Sequence, residues 1–477
     1  VGLAPAVSLP LPIGSYKLPV PGASTRVLLN CYAQEAPPEK PNEEPVTLIR
    51  APGIAAFGDT AQAEVRGFTQ LGDTLFTVAG SKLCSVSSGG TVTLLTGAAI
   101  SGNGPVRVEN NGTDIVVTPG NGDGFTSDGS TVAQITDPDF TTDGGGADVV
   151  FLDQYFVFRR PGTARFFNSG LNDTTFNALD IATAEGAPGA LNGLIANNRE
   201  LILTKEKSIE RWYDAENSPG SPFSRSPNGF YEIGCRAGES LANQDNSVAM
   251  LANDLTFRRL TDIWRRISNH GVESVLQRME VTSDCFALPY SQEGHLFVAF
   301  TFRNAGRTFV VDFTTGEWHE RDSIIDTVNI GRWRPQCIIQ AYGKQIVGDS
   351  ASGKLGILDP DTHEEWGEPQ RMSWTYQPVV AQRRLVSHRR FELGLSAGQG
   401  TATGQGENPL ATLFVSDDGG NVYRARPVRS VGRLGEYRKR VQWYNLGSSE
   451  QRVYRVDITD PIRMFIIDTQ LDATGGR

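Results

Sequence analysis

The sequence predicts an all-β protein: a β-propeller of about seven blades, with an extended N-terminal arm and a small C-terminal β-sandwich or barrel module. Three observations predict it. Apolar strand cores recur at intervals of 40, 40, 46, 47, 48 and 49 residues, the length that a four-stranded propeller blade takes. Fifty-two Gly and 26 Pro among 477 residues punctuate many short strands with turns. Helical periodicity is weak, and 272–279 is the one stretch that reads as a helix.

Residues 1–50 are read as the arm. Pro5, Pro10, Pro12, Pro19 and Pro21 space out short apolar pieces, and Pro37-Pro38-Glu39-Lys40-Pro41 and Pro45 follow. Proline removes a backbone donor and holds its predecessor extended, so this stretch is expected to run over a surface and to be dispensable for folding of the propeller. Residues 51–370 are read as the propeller. Its cores are Leu75-Phe76-Thr77-Val78, Ile115-Val116-Val117, Tyr155-Phe156-Val157-Phe158, Leu201-Ile202-Leu203, Val248-Ala249-Met250-Leu251, Leu296-Phe297-Val298-Ala299-Phe300 and Gln345-Ile346-Val347. Most lead into hairpins such as Ala79-Gly80-Ser81-Lys82-Leu83. The repeats lack WD40 and kelch signatures, so six blades, one distorted blade or a pair of ordinary sandwiches also accommodate the spacing. Residues 371–477 are read as the last module. Asp418-Gly419-Gly420 is a hairpin turn with positive φ on glycine. The runs from Val441 and Val453 alternate apolar and polar residues as half-buried strands do.

Net charge is −10, which argues against a protein that grips nucleic acid over a broad face, because such affinity comes largely from phosphate neutralisation. The charge is uneven: −16 over residues 1–370 and +6 over 371–477. Opposite-sign blocks suit docking between neighbouring subunits through complementary fields. Five widely spaced cysteines (Cys31, Cys84, Cys235, Cys285, Cys337) form no CxxC pair, so free buried thiols and no zinc are expected. No apolar run approaches the ~20 residues of a membrane span. There is no GxSxG, Walker A, HExxH or EF-hand pattern. The acidic clusters at Asp137-Pro138-Asp139, Asp143 to Asp148 and Asp359 to Glu365 read as turns between strands in preference to metal or acid–base sites. No catalytic residue, metal or cofactor is expected.

Two groups of cations are candidate interfaces. Arg258, Arg259, Trp264, Arg265 and Arg266 interleave guanidinium and indole groups. They could stack on nucleic acid, anchor a protein interface, or pack Trp264 inside while the arginines reach out to water. Arg383, Arg384, Arg389 and Arg390 form the second group, between the propeller and the last module.

Several stretches resemble the packaged-DNA stabilisation proteins that form the tail nozzle (tail hub) of short-tailed phages. They are Ser416 to Gly420, Gly432-Arg433-Leu434-Gly435-Glu436-Tyr437, Arg440 to Gly447 and Arg452 to Pro461, with Lys207 to Tyr213, Phe230 to Cys235 and Val310 to His319 in the middle of the chain. The resemblance covers about residues 200–320 and 390–470. It implies a non-enzymatic virion protein, made in the host cytoplasm and assembled as a homohexamer below the portal and its adaptor. There it would extend the DNA channel, help retain packaged DNA and direct its ejection, with tail fibre or spike proteins and a needle or plug as further partners. DNA would pass through the lumen without tight binding, since an acidic wall repels phosphate. A peripheral receptor-binding tail protein and a propeller enzyme acting on glycans are the alternatives.

Overall fold

Each of the seven apolar cores is the second strand of a blade of four antiparallel strands: Thr74–Ala79, Ile115–Thr118, Tyr155–Arg159, Glu200–Lys205, Ser247–Leu251, His295–Phe302 and Lys344–Asp349; in the second, sixth and seventh blades further strands extend the sheet. The computed structural model describes residues 7–20, 22–35, 46–325, 329–381 and 384–475. A second strand has a neighbour on either edge and another blade against either face. Its side chains are therefore buried on both sides, and it reads as a continuous apolar run instead of an alternating one.

Among the described residues the propeller has seven blades, at 65–94, 107–134, 148–183, 191–231, 242–266, 285–324 and 335–359. We number them 1 to 7. Each neighbouring pair buries its own apolar cluster. Phe76 and Val78 meet Ile115 and Val117 between blades 1 and 2, for example, and Phe257 meets Phe300 and Phe302 between blades 5 and 6. The ring closes where blade 7 meets blade 1 around Val65, Leu75, Ile346 and Leu355. Tyr342 spans that seam, accepting from Leu75 N at 2.9 Å and donating to the Val86 carbonyl at 2.6 Å. Gly348 is needed there because a Cβ would lie 2.4 Å from Val65 Cγ1.

The outer strand of blade 7 comes from the other end of the propeller sequence. Gly53–Asp59 pairs antiparallel with Lys354–Asp359, from Gly53 opposite Asp359 to Asp59 opposite Lys354. The short helix His270–Leu276, capped by Asn269, falls where the periodicity placed one.

The C-terminal module is a sandwich of two sheets. One continues outward from blade 6. Trp318–Ile324 is followed by Thr25–Leu29, Met372–Thr375, Gln451–Ile458, Leu410–Ser416 and Arg424–Ala425. The facing sheet runs Cys31–Glu35, Val46–Arg50, Phe465–Gly475, Val386–Leu395, Val441–Ser449. Trp374, Tyr376, Phe391, Trp443, Tyr454 and Ile466 fill the space between them. Gly419 and Gly420 have φ of 78° and 95°, as a hairpin turn there requires.

This corrects the expectation of a detached arm. Among the described residues of 1–50, five strands (Val7–Ser8, Tyr16–Lys17, Thr25–Leu29, Cys31–Glu35 and Val46–Arg50) belong to these two sheets, and Leu11, Leu28, Cys31 and Leu48 lie in the sandwich core. Among the described prolines, Pro10, Pro12 and Pro19 lie between those strands without entering them, so they leave the ladders intact. Residues 36–45 lie outside the described residues.

Candidate interaction surfaces

The inner strands of the blades surround a central cavity of about 940 Å³, room for roughly thirty waters. The lining mixes signs, with Arg66, Arg107, Arg159, Arg236 and Arg303 beside Glu109, Asp148 and Glu239. Arg66 is occupied in structure, donating to the carbonyls of Gly80, Ser101 and Gly104. Arg107 Nε lies 3.4 Å from Asp148 Oδ1.

Glu109 keeps some contact with channel water, yet burial among these walls pushes its carboxyl from 4.5 up to about 7, with Asp148 adding to the shift and Arg107 opposing it. The folded protein therefore holds this proton more tightly than the unfolded chain does. The resulting penalty is absent below 4.5, grows between 4.5 and 7 and is complete above 7. Glu109→Gln is expected to raise Tm at pH 8 by roughly a few degrees and to leave it unchanged at pH 4; thermal melts at the two pH values check it.

Where propeller meets sandwich, buried polar groups tie the N-terminal strands to both. Arg321 is fully buried, donates to the Pro52 carbonyl at 2.6 Å, sits 3.6 Å from Glu365 and covers the Trp333 ring at 4.0 Å. Asp322 accepts from Arg371 at 2.6 Å and from Asn30 at 2.6 Å. Arg50 donates to the carbonyls of Asp460, Ile462 and Gln370. His295 Nδ1 lies 2.6 Å from Asp312, and its Nε2 lies 3.0 Å from Gln34. Beside this junction, in blade 7, the buried Arg334 makes a two-pronged pair with the fully buried Asp349. Groups this deep are costly to leave unpaired, so they hold the two domains in one relative orientation.

The blade 5 cations are matched at home. Arg258 pairs with Asp254 at 2.7 Å, Arg259 with Asp245 at 2.5 Å, Arg265 with Asp262 at 3.0 Å, and Arg266 with Glu273. Arg259 also covers the Phe313 ring at 4.1 Å. Trp264 is buried in the cluster between blades 4 and 5. Of the second group, Arg390 pairs with Glu392 and Asp472, Arg384 and Arg389 are exposed, and Arg383 lies outside the described residues.

In the acidic clusters Asp137 and Asp359 are turn residues, while Asp148 and Glu365 are buried in strands beside Arg107 and Arg321. Asp137 caps the helix Pro138–Thr141 by accepting from Asp139 N at 2.9 Å. Asp359 accepts from Asp361 N and Thr362 Oγ1. Among the described residues no three His, Cys, Asp or Glu side chains are grouped to hold a metal.

The five thiols are unpaired. Burial pushes Cys31 and Cys84 up to about 12 and Cys235 to about 11, and Cys285 is also raised. These four are expected to react with a thiol reagent such as DTNB only after denaturation, since the thiolate is the nucleophile. Counting modified thiols with and without guanidinium checks this.

The surface that stands out on sequence grounds only in retrospect is the 422–440 loop. It carries Arg424, Arg426, Arg429, Arg433, Arg438, Lys439 and Arg440 against one carboxylate, Glu436. The density of cations was the available signal.

Two family matches cover nearly the whole chain. Residues 9–363 match the family described as bacteriophage P22 Gp10, beta-propeller, and residues 372–474 match bacteriophage P22 Gp10, beta-sandwich. No curated protein matches the chain. Similar solved structures include YCF48 bound to D1 peptide, at 12% identity and TM-score 0.40, covering 65% of this chain and 99% of that one. Another is a catalytically inactive virginiamycin B lyase from Staphylococcus aureus with quinupristin, at 10% identity and TM-score 0.42, covering 63% and 96%.

Proposed function

Because the chain belongs to the bacteriophage P22 Gp10 family, it is a structural protein of a phage tail, and we propose that it builds the wall of the tail nozzle. In this role six copies form a ring below the portal and its adaptor, extend the DNA conduit and help retain the packaged genome. Tail fibres or spikes and a needle or plug attach to the same assembly. Propeller 51–370 and C-terminal module 371–477 act as two ends of one wall element, with the N-terminal strands binding them together.

The observation that carries this reading is the thirteen-stranded sheet. It starts at Cys285–Gln292, which contributes to the lining of the propeller's central cavity, and runs without a break to the outer edge of the sandwich. With the buried charges at the junction it makes a stiff strut, suited to a load-bearing wall and not to a hinged catalyst. DNA passes along the axis of the ring, between copies. The expected work is mechanical and electrostatic, without catalysis.

Cryo-EM of the tail complex tests the reading. Six copies around the DNA axis are expected; a peripheral copy that contacts no neighbour of its own kind would overturn it.

A further inference from the structure

The 422–440 loop is a basic and apolar surface held in a fixed shape, with Arg440 paired to Glu392 at 2.7 Å and most of its other cations unmatched among the described residues. Arg426 and Arg429 donate to the carbonyls of Leu446 and Gln442, and Trp443 Nε1 donates to the Pro427 carbonyl at 2.8 Å. Glu436 accepts from Arg433 N at 3.0 Å, and Gly435 N donates to the Gly398 carbonyl. On this frame Leu434 is 60% and Tyr437 71% exposed. Among the described residues no carboxylate lies within ion-pair distance of Arg424, Arg433, Arg438 or Lys439. Aromatic and arginine side chains presented on a rigid support are what an interface anchor needs.

The complementary surface lies on blades 3 and 4. The outer strand of blade 3, Phe176–Thr183, carries Asp180 and the 67% exposed Leu179, and Leu171 beside it is 60% exposed. The blade 4 loop that follows Asp214 and Glu216 approaches this strand closely: a Cβ placed on Gly220 would lie 3.6 Å from the Leu179 carbonyl oxygen. Asp180 lies on this strand, and Asp214 and Glu216 lie at the start of the loop that approaches it, so the three carboxylates face one region of the surface. Segments 171–187 and 213–221 hold five carboxylates and no Lys or Arg; Arg225 flanks them near Gly186.

The two surfaces lie at opposite ends of the molecule. The sandwich attaches at blades 6 and 7, through Leu29 opposite Glu320 and through Arg463 with Glu293 and Asp361. In a ring of seven, blade 3 is diametrically across from the gap between 6 and 7. Arg424–Ala425 and Arg429–Ser430 form the far edge of the sheet that starts in blade 6, eight strand spacings or on the order of 40 Å away. Head and tail patches of opposite charge generate a heterologous contact, the type that closes rings.

We propose that the 422–440 loop of one copy docks on the 171–187 and 213–221 face of the next copy. This rests on the ring reading above and names the contact that closes it.

The test uses assembled tails. Carbodiimide joins an amine to a carboxylate in contact, and Lys439 supplies the amine. Tails grown from mixed 14N and 15N chains are expected to yield mixed-isotope crosslinks from Lys439 to Asp180, Asp214 or Glu216. The triple reversal Arg433→Glu, Arg438→Glu, Lys439→Glu is expected to cut incorporation into particles at least ~100-fold. So is Asp180→Lys, Asp214→Lys, Glu216→Lys; the six changes together are expected to restore most of it. Unchanged melting of the purified variants shows that they fold. A ring whose Lys439 crosslinks lead elsewhere, and which tolerates both reversals, overturns the docking and leaves the nozzle reading standing. Tails without a ring overturn the nozzle reading itself. Intact rings that lose packaged DNA on loop reversal would make nucleic acid the loop's partner and overturn the proposal.

Discussion

A chain lacking residues 1–50 is expected to lose its C-terminal sandwich, and a chain lacking residues 1–59 to lose its propeller as well. The first deletion removes Leu11, Leu28 and Leu48 from the sandwich core, each buried to 6% exposure or less. At ~1.5–3 kcal/mol for each large side chain, the loss is roughly 5–9 kcal/mol, comparable to the ~5–15 kcal/mol that stabilises a whole domain. It also strips Asn30 from Asp322 and empties the strand position between Trp318–Ile324 and Met372–Thr375. The second deletion takes Gly53–Asp59 as well and leaves blade 7 with its edge open. Limited proteolysis of residues 51–477 and 60–477 checks both. The expected result is a protease-resistant propeller from the first and none from the second. A cooperative, full-size melt from residues 51–477 would refute the sandwich assignment.

Asp349→Ala is expected to cost about 3–5 kcal/mol, the range for breaking a buried pair by removing one partner. Asp349 is fully buried and accepts from Arg334 Nε at 3.0 Å and from Ala351 N at 3.1 Å, with further bonds from Arg334 Nη2 and Ser352. Its loss strands a guanidinium that otherwise has the Trp366 ring 4.9 Å away. The double change Asp349→Ala, Arg334→Met removes the stranded charge and is expected to recover much of the loss. Urea unfolding of the wild type and the two variants measures it. A shift under 1 kcal/mol for the single change would mean that water reaches Arg334.

The propeller was legible because the second strand of every blade is buried on both faces, so runs such as Val248-Ala249-Met250-Leu251 stand out at a regular interval. The seventh blade was counted from Gln345-Ile346-Val347 alone. Its outer strand, Gly53–Asp59, belongs to a distant part of the chain, and periodicity carries no information about such pairing. For the same reason the N-terminal strands looked detached. The visible cue was the proline-free run from 22 to 36, with Val27-Leu28-Leu29 and Cys31-Tyr32-Ala33 at its centre. Proline density around that run suggested an arm because it marks extended chain without saying what the chain pairs with. At Arg258, Arg259, Arg265 and Arg266 the cations were legible. Their neutralising partners Asp245, Asp254, Asp262 and Glu273 were also in the sequence, but only the hairpin geometry aligns each carboxylate with its arginine. The 422–440 loop shows the opposite case, a dense run of cations to which the fold supplies few carboxylates.

The strand Gly53–Asp59 reaches the ribosome exit nearly 300 residues before Lys354–Asp359, its partner in blade 7. At translation rates of about 5–20 residues per second, the early strand waits roughly 15 to 60 s for its mate. The sandwich waits longer still, because Val46–Arg50 pairs with Phe465–Gly475 near the other end of the chain. Blade 7 keeps an open strand edge until Lys354–Asp359 is made, and the sandwich keeps one until Phe465–Gly475 is made. A copy cut short before Phe465–Gly475 leaves Val46–Arg50 without its late partner, so the order of translation itself marks such copies as unsound building parts.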